Sequence, residues 1–245
     1  MSVLFTAILT AVLALSTPIE QTFTKGETLD YTLTWMKVTG GTARMTLVTD
    51  GDSYRITSVA HSSPRFSRFF KVRDEIETTV SRDDFSTLRY VKRLDEEGDK
   101  MQEVTTVENG IATRTRKKQK RVPVPRPIFD PISVIYYLRT VDLSPGKQHD
   151  ITLIADGKVY VVHAHVVRRE TLQTPAGKFQ TVMIEPEMTS GGVPRSERLF
   201  IWYSDDERRL PVRIRTEVKV GAITATLRSV QSGVTSTAPP PLQTD

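Results

Sequence analysis

Few residues in this sequence have types and spacing that could do chemistry. His163 and His165 stand two apart in an alternating run, so on a strand both imidazoles face the same way. Two imidazoles can begin a metal site, but such a site needs three or four ligands with support behind them. No third ligand stands at a matching spacing, and no metal is expected. Asp205-Asp206-Glu207-Arg208-Arg209 sets three carboxylates beside two guanidiniums. Acid–base catalysis needs two carboxylates whose environments drive their pKa values apart, whereas neighbours on a turn diverge and stay solvated. The run reads as a structural turn closing a strand pair. Ser133 lies outside any Gly-x-Ser-x-Gly elbow, and no glycine-rich phosphate loop occurs. The lack of cysteine removes thiolate nucleophiles, thiolate metal sites, disulfides and a lipid-anchored cysteine together. With no nucleophile–base pair to assemble, neither an enzyme nor a cofactor is expected, and an unrecognised hydrolase ranks last.

Binding chemistry is better represented. Asp130-Pro131-Ile132-Ser133-Val134-Ile135-Tyr136-Tyr137-Leu138-Arg139 predicts a short helix. Asp130 can cap it, Pro131 suits the first helical position, and Arg139 can face the negative end of the helix dipole. A helix apolar on nearly every side must be enclosed. Ile132, Ile135 and Tyr136, with Trp202 from a later strand, are therefore the candidate walls of an apolar interior. Just upstream, Arg114, Arg116, Lys117, Lys118, Lys120, Arg121 and Arg126 stand without an acidic neighbour. These seven cations exceed the chain's net charge of +5, so the remainder is acidic. Arg114, Arg116, Lys117, Lys118 and Arg121 are the candidates for holding an anionic group. Phe66, Phe69 and Phe70, among Arg65, Arg68 and Lys71, read as a core edge or as an apolar lip for peripheral membrane contact. No nucleic-acid module accompanies the basic run, so nucleic acid is not an expected partner.

The elements that must position these groups are strands. Leu29, Tyr31, Leu33 and Trp35 alternate with polar residues, as do Val212, Ile214 and Thr216 with Arg213, Arg215 and Glu217. Gly40-Gly41, Asp50-Gly51, Asn109-Gly110 and Asp156-Gly157 mark hairpins. Roughly ten or eleven strands at this spacing predict a mainly β fold. The expected form is a strongly curved antiparallel sheet, an open or half barrel, wrapped around one short central helix, since so many twisted strands rarely stay flat. Val122-Pro123-Val124-Pro125-Arg126-Pro127 reads as an extended surface connection delivering the chain to that helix. Val3–Leu15 is too short to span a bilayer and is followed by small residues. It reads as a signal peptide over 1–16 cleaved near Ser16, or, since no cation precedes it, as an uncleaved anchor. One β-rich domain over 20–231 and a disordered Ser/Thr/Pro tail over 232–245 complete the organisation.

Three motifs carry a family resemblance: Asp130-Pro131-Ile132-Ser133 with Tyr136-Tyr137-Leu138-Arg139, Thr174-Pro175-Ala176-Gly177-Lys178-Phe179, and Ile201-Trp202-Tyr203-Ser204-Asp205-Asp206-Glu207-Arg208-Arg209-Leu210-Pro211-Val212 followed by Gly221. Their order, with the early Gly26-Glu27-Thr28-Leu29-Asp30-Tyr31, resembles the bacterial exported-protein family catalogued as domain of unknown function 3108, over roughly residues 25 to 230. The resemblance implies a periplasmic open barrel like the lipoprotein carriers, and no catalytic residues. The expected function is thus a non-enzymatic cell-envelope protein that binds a lipid or other amphiphile in the apolar interior of its curved sheet. The alternative is a structural or assembly factor that binds an envelope protein or a glycan through an exposed edge or the basic loop 112–126.

Overall fold

Alternation and tight turns build two antiparallel meanders, which the computed structural model describes over residues 18–68, 71–191, 193–194, 198–217 and 221–234. The expected signal segment and nearly all of the expected tail lie outside these residues. The chain opens with α1 (Pro18–Lys25), which the sequence reading passed over. The first meander runs β1 (Glu27–Trp35), β2 (Val38–Asp50), β3 (Ser53–Ser62), β4 (Val72–Ser81), β5 (Thr87–Glu96), β6 (Asp99–Glu108), β7 (Ile111–Thr115) and β8 (Gln119–Pro123). After a short helix, α2 (Ser133–Tyr137), the second runs β9 (Gln148–Ala155), β10 (Lys158–Thr174), β11 (Gly177–Ser190), β12 (Val193–Pro194), β13 (Leu199–Ser204), β14 (Pro211–Glu217) and β15 (Ala222–Ser232). Positive φ at both residues of Asn109-Gly110 and Asp156-Gly157 gives the hairpin turns whose twist matches the flanking strands.

All the named strands form one sheet, in the order β8-β7-β6-β5-β4-β3-β2-β1-β15-β14-β13-β11-β10-β9, with β12 added on β11. The two meanders are joined by the antiparallel β1–β15 ladder, from Glu27↔Ser232 to Trp35↔Ile223. The fold is therefore mainly β, a single large antiparallel sheet that no ladder closes. There are more strands than expected, chiefly because the basic segment is not a loop. It forms the β7–β8 hairpin at one end of the sheet, with Pro123 on the outermost strand, where a missing amide breaks no interior ladder.

The two ends of the sheet meet through the segment that follows β8. The Val124 amide donates to the Gly110 carbonyl, the Thr87 amide to Ile128, and Phe129 forms a parallel bridge to Leu153. Val124, Ile128, Ala112 and Ile154 make a small core of their own there. Lys92 reaches Asp156 at 2.7 Å across the same seam. Gly157, with φ near 69°, lies where any Cβ would meet Arg114 Cδ at 2.7 Å. Between these ends, strands far apart in the sheet touch one short segment: β4 and β5 bond Asp130, while β13 bonds the Ile135 carbonyl. In a flat sheet β5 and β13 would stand about 34 Å apart at ~4.8 Å per strand. Both reach the segment only because the sheet bends.

A bulge in β10 governs which face each side chain takes. Val166 pairs with Ile184, but Arg168, not Val167, pairs with Met183. One extra residue sends Val162, Ala164 and Val166 to the α2 side and Arg168 and Glu170 to the opposite face.

The α2 side of the sheet also holds a carboxylate. Asp74, on the same side of β4 as Thr78, has a buried Oδ1 without a hydrogen-bond partner. Burial, and then the charge of Glu96, push its pKa up to about 6. The fold thus favours the protonated form. The penalty is absent below the unfolded-state value near 4 and develops as pH rises through about 6. Asp74→Asn is expected to stabilise the protein by about 1 kcal/mol at pH 8, allowing for partial exposure. That gain should vanish toward pH 4 in paired urea melts.

Candidate functional site

The segment Asp130–Arg139 is built around two buried charges rather than around a long helix. Asp130 is fully buried. Its Oδ1 accepts the amides of Ile132 and Ser133 at 2.8 and 2.9 Å, and its Oδ2 accepts the hydroxyls of Thr78 and Thr87. The Asp130 amide donates in turn to Ser133 Oγ at 2.8 Å. Asp130 does cap the segment, but Pro131 and Ile132 form a turn before the helix, which begins at Ser133. At the other end the Arg139 and Thr140 amides bond three residues back, so the last turn tightens and the helix stops at Tyr137. The expected helix over 130–139 is five residues long.

Arg139 does not serve as a surface cation at a helix end. It is fully buried, bonds both carboxylate oxygens of Glu27 on β1, and donates from Nη2 to the Arg208 carbonyl at 2.9 Å. Its guanidinium lies 4.8 Å from the ring of Phe23 and 5.3 Å from that of Tyr136. Burial alone would lower its pKa, but the Glu27 carboxylate outweighs burial and holds it above its ordinary value.

The acidic–basic run 205–209 clamps the same place. Asp206 accepts the Ser204 hydroxyl at 2.7 Å and the Arg208 and Arg209 amides at 3.1 Å, the structural turn expected from the sequence. Arg209 Nη1 then donates to the carbonyls of Arg139 and Val141. Tyr203 donates to the Ile135 carbonyl and Tyr31 to the Pro211 carbonyl, each at 2.9 Å. Burial pushes the Tyr203 and Tyr136 phenols up, so both stay neutral.

The candidate wall residues divide. Ile132, Ile135 and Tyr136 are buried together in the main core. Trp202 belongs to the same buried cluster but lies on the other side of its strand. Strand alternation gives the α2 side to Tyr203, and Trp202 faces the other way, with its indole NH donating to Glu170 at 2.7 Å. The helix is also not enclosed all round: Pro131, Val134, Tyr137 and Val141 are only half-buried. The basic candidates divide too. Arg114 turns inward to the buried Glu103, while Arg116, Lys117, Lys118 and Arg121 stay exposed on the β7–β8 hairpin. His163 pairs with Asp150 at 2.7 Å, and His165 lies 3.8 Å from Glu187. Phe66 packs edge-on against Trp35, whereas Phe69 and Phe70 lie outside the described residues. Sequence reasoning missed Phe23, Glu27, Thr78 and Thr87, which hold the two buried charges. The one available signal was the placing of ionisable and hydroxyl residues at inward strand positions.

Residues 30–228 match the sequence profile of the DUF3108 family, a protein family of unknown function. The chain belongs to the DUF3108 family. No curated protein matches it. Among solved structures it is similar to a beta-barrel-like protein of domain of unknown function DUF1849 from Brucella abortus, with a TM-score of 0.61 at 13% identity, covering 84% of this chain and 97% of that one. A protein described as exported, with a YmcC-like fold, from Bacteroides fragilis gives 0.32 at 11% identity over 84% and 95%. A protein described as a lipoprotein from Parabacteroides distasonis gives 0.35 at 12% over 85% and 96%. The Brucella likeness is one of fold: a β-barrel-like arrangement of the sheet. In this DUF3108 member, two of the three motifs that carried the resemblance and the Gly26–Tyr31 stretch converge on Arg139.

Removing one member of a buried pair leaves the other uncompensated. Arg139→Met is expected to cost about 3–5 kcal/mol. The double variant Glu27→Leu/Arg139→Met should recover much of that loss, as denaturant melts of both singles and the double would read.

Proposed function

We propose that this DUF3108 protein is a non-enzymatic component of the cell envelope that binds a lipid or other amphiphile against the apolar helix of its bent sheet. The observation that carries the reading is the half-buried stripe of Pro131, Val134, Tyr137 and Val141 on an otherwise enclosed segment. Val134, Tyr137 and Val141 pack against the main core at one edge and leave apolar area uncovered at the other. An acyl chain laid there gains about 0.8 kcal/mol per methylene removed from water. Ile132, Ile135 and Tyr136 then act as the packed backing of the site rather than its open wall. The exposed cations Arg116, Lys117, Lys118 and Arg121 favour an anionic headgroup, and the apolar N-terminal run supports export to the periplasm. Native mass spectrometry and solvent extraction of protein purified from a bacterial envelope fraction are expected to find a bound lipid. Val134→Glu, at a half-buried position of the stripe, should abolish it in a variant whose circular dichroism matches that of the parent. Ligand-free protein that also fails to take up a fluorescent fatty acid would overturn the reading.

A second reading is favoured by one specific observation. β8 ends the sheet, is exposed along most of its length, and carries Lys120 and Arg121 beside the turn cations. An acidic segment of an envelope protein could add there as a further strand. Removing 112–126 outright would take Ala112 and Val124 from the core and orphan Glu103. Charge reversal of Arg116, Lys117, Lys118 and Arg121 to Glu is therefore the cleaner test. If the edge recruits a partner, the reversed protein should lose it in a pull-down while uptake of an uncharged lipid, which needs no cation, persists. Equal recovery from both proteins would exclude this reading.

A further inference from the structure

The face of the sheet that points away from α2 carries a groove of about 530 Å³. Its construction follows from the ladders. Trp202 pairs with Arg213, which pairs with Thr226; one step along, Phe200 pairs with Arg215, which pairs with Thr224. Directly paired residues share a face, so two parallel rows form, each an aromatic ring, an arginine and a threonine in sequence. Met183 pairs with Trp202 and continues the floor onto β11. Arg168, brought to this face by the β10 bulge, and Arg198, just before β13, stand at the rim.

The cations are held in place, and their charges are unevenly matched. Arg198 lies 4.8 Å over the Phe200 ring and bonds Glu185 at 2.6 Å. Arg215 bonds Glu217 at 3.4 Å, and Arg168 bonds Glu170 at 3.0 Å. Arg213 lies 5.9 Å over the Trp202 ring, and among the described residues no carboxylate pairs with it. Its Nε is buried without a hydrogen-bond partner. Burial pulls its pKa below the ordinary arginine value, with the nearby Glu170 charge opposing. Four arginines line the groove against two glutamates, Glu185 and Glu217. A guanidinium over an aromatic ring, with no carboxylate partner among the described residues, has its Nη donors left to take an incoming oxyanion.

We infer that this groove is a binding site for a small hydroxylated acid, whose oxyanion is taken by Arg213 and whose body lies along the threonine side. The shared chemistry is the oxyanion, the carboxylate of a sugar acid or the phosphate of a sugar ester. The volume is that of a small-ligand site, and Thr34, Thr224 and Thr226 put hydroxyls along one wall. The site is separate from the helix stripe of the proposed lipid site, so the two stand or fall independently.

The groove contains its own reporter, because Trp202 is one of only two tryptophans in the chain. In a Trp35→Phe background, Trp202 emission would be followed on addition of d-glucuronate, glucose 1-phosphate and, as the neutral control, d-glucose at constant ionic strength. A saturable change is expected with one or both acids and none with glucose. Response to glucuronate alone assigns a carboxylate ligand, to the ester alone a phosphate ligand, and to both an oxyanion site tolerant of either. Arg213→Gln should weaken binding at least tenfold. Arg198→Gln, at an exposed rim position that leaves the fold unchanged, should weaken it severalfold. Absence of saturation with either acid, an equal response to glucose, or undiminished binding in Arg213→Gln would overturn the proposal.

Discussion

The buried pair of Glu27 and Arg139 is the constraint on which the rest of this structure depends. Both charges have left water, which costs several kcal/mol for each ion, and the loss is offset only where geometry satisfies nearly every donor and acceptor. The chain meets that demand with parts drawn from its whole length. Glu27 opens β1, Arg139 closes the helical segment, Arg208 supplies a carbonyl from the turn between β13 and β14, and Phe23 of α1 covers the guanidinium. An ion pair so placed specifies position more than it adds stability. Apolar contacts let a helix slide along a sheet, whereas a forked guanidinium on a single carboxylate admits one register. Asp130 plays the same part at the other end by collecting two amides and two threonine hydroxyls.

These two anchors explain how one open sheet can act as a barrel without closing. Asp130 ties the segment to β4 and β5, and Arg139 ties it to β1 and to the turn after β13. The segment thereby spans the bend that edge-to-edge hydrogen bonding would otherwise have to hold. The true edges, β8 and β9, meet through Phe129, the small core around Ile128 and the seam at Gly157. Edge strands left bare invite pairing with other chains. Here a proline and a row of cations occupy β8, and the 128–130 segment covers β9 in part.

What was legible in the sequence is what local rules control. Alternation and Asp-Gly or Asn-Gly turns located most of the strands, because side-chain period and positive φ are properties of neighbouring residues. The family motifs were legible as strings, and so was the capping role of Asp130. The fate of Arg139 was not: a cation at the end of an apolar run is ordinarily a dipole partner in water, and only the three-dimensional arrival of Glu27, 112 residues away, makes it a core residue. The direction in which Trp202 points was hidden for a different reason. Within a continuous apolar run such as Leu199–Ser204 both faces look buried, and parity alone does not say which face meets the helix. The basic segment was misread because charge density suggested a loop, although Ile111–Thr115 and Gln119–Pro123 alternate well enough to pair at an edge.

An all-around apolar helix inside a sheet looks like the wall of a ligand chamber, but Tyr203, Ile135, Tyr136 and Phe23 fill the space it would need. A core filled this way moves ligand binding outward, to surfaces whose side chains still have unmet contacts. The sequence of β13 builds one such surface directly. By alternating Phe200 and Trp202 with Ile201 and Tyr203, it commits Ile201 and the Tyr203 ring to the core side and two rings to the groove. The single-residue bulge in β10 then brings Arg168 and Glu170 to the groove side. Remove that bulge and every residue after Val166 changes face. Glu170 would leave the Trp202 indole for the interior, where no cation other than the already paired Arg139 lies buried to receive it among the described residues. The bulge is thus what lets one strand serve a packed core at one end and a charged surface at the other.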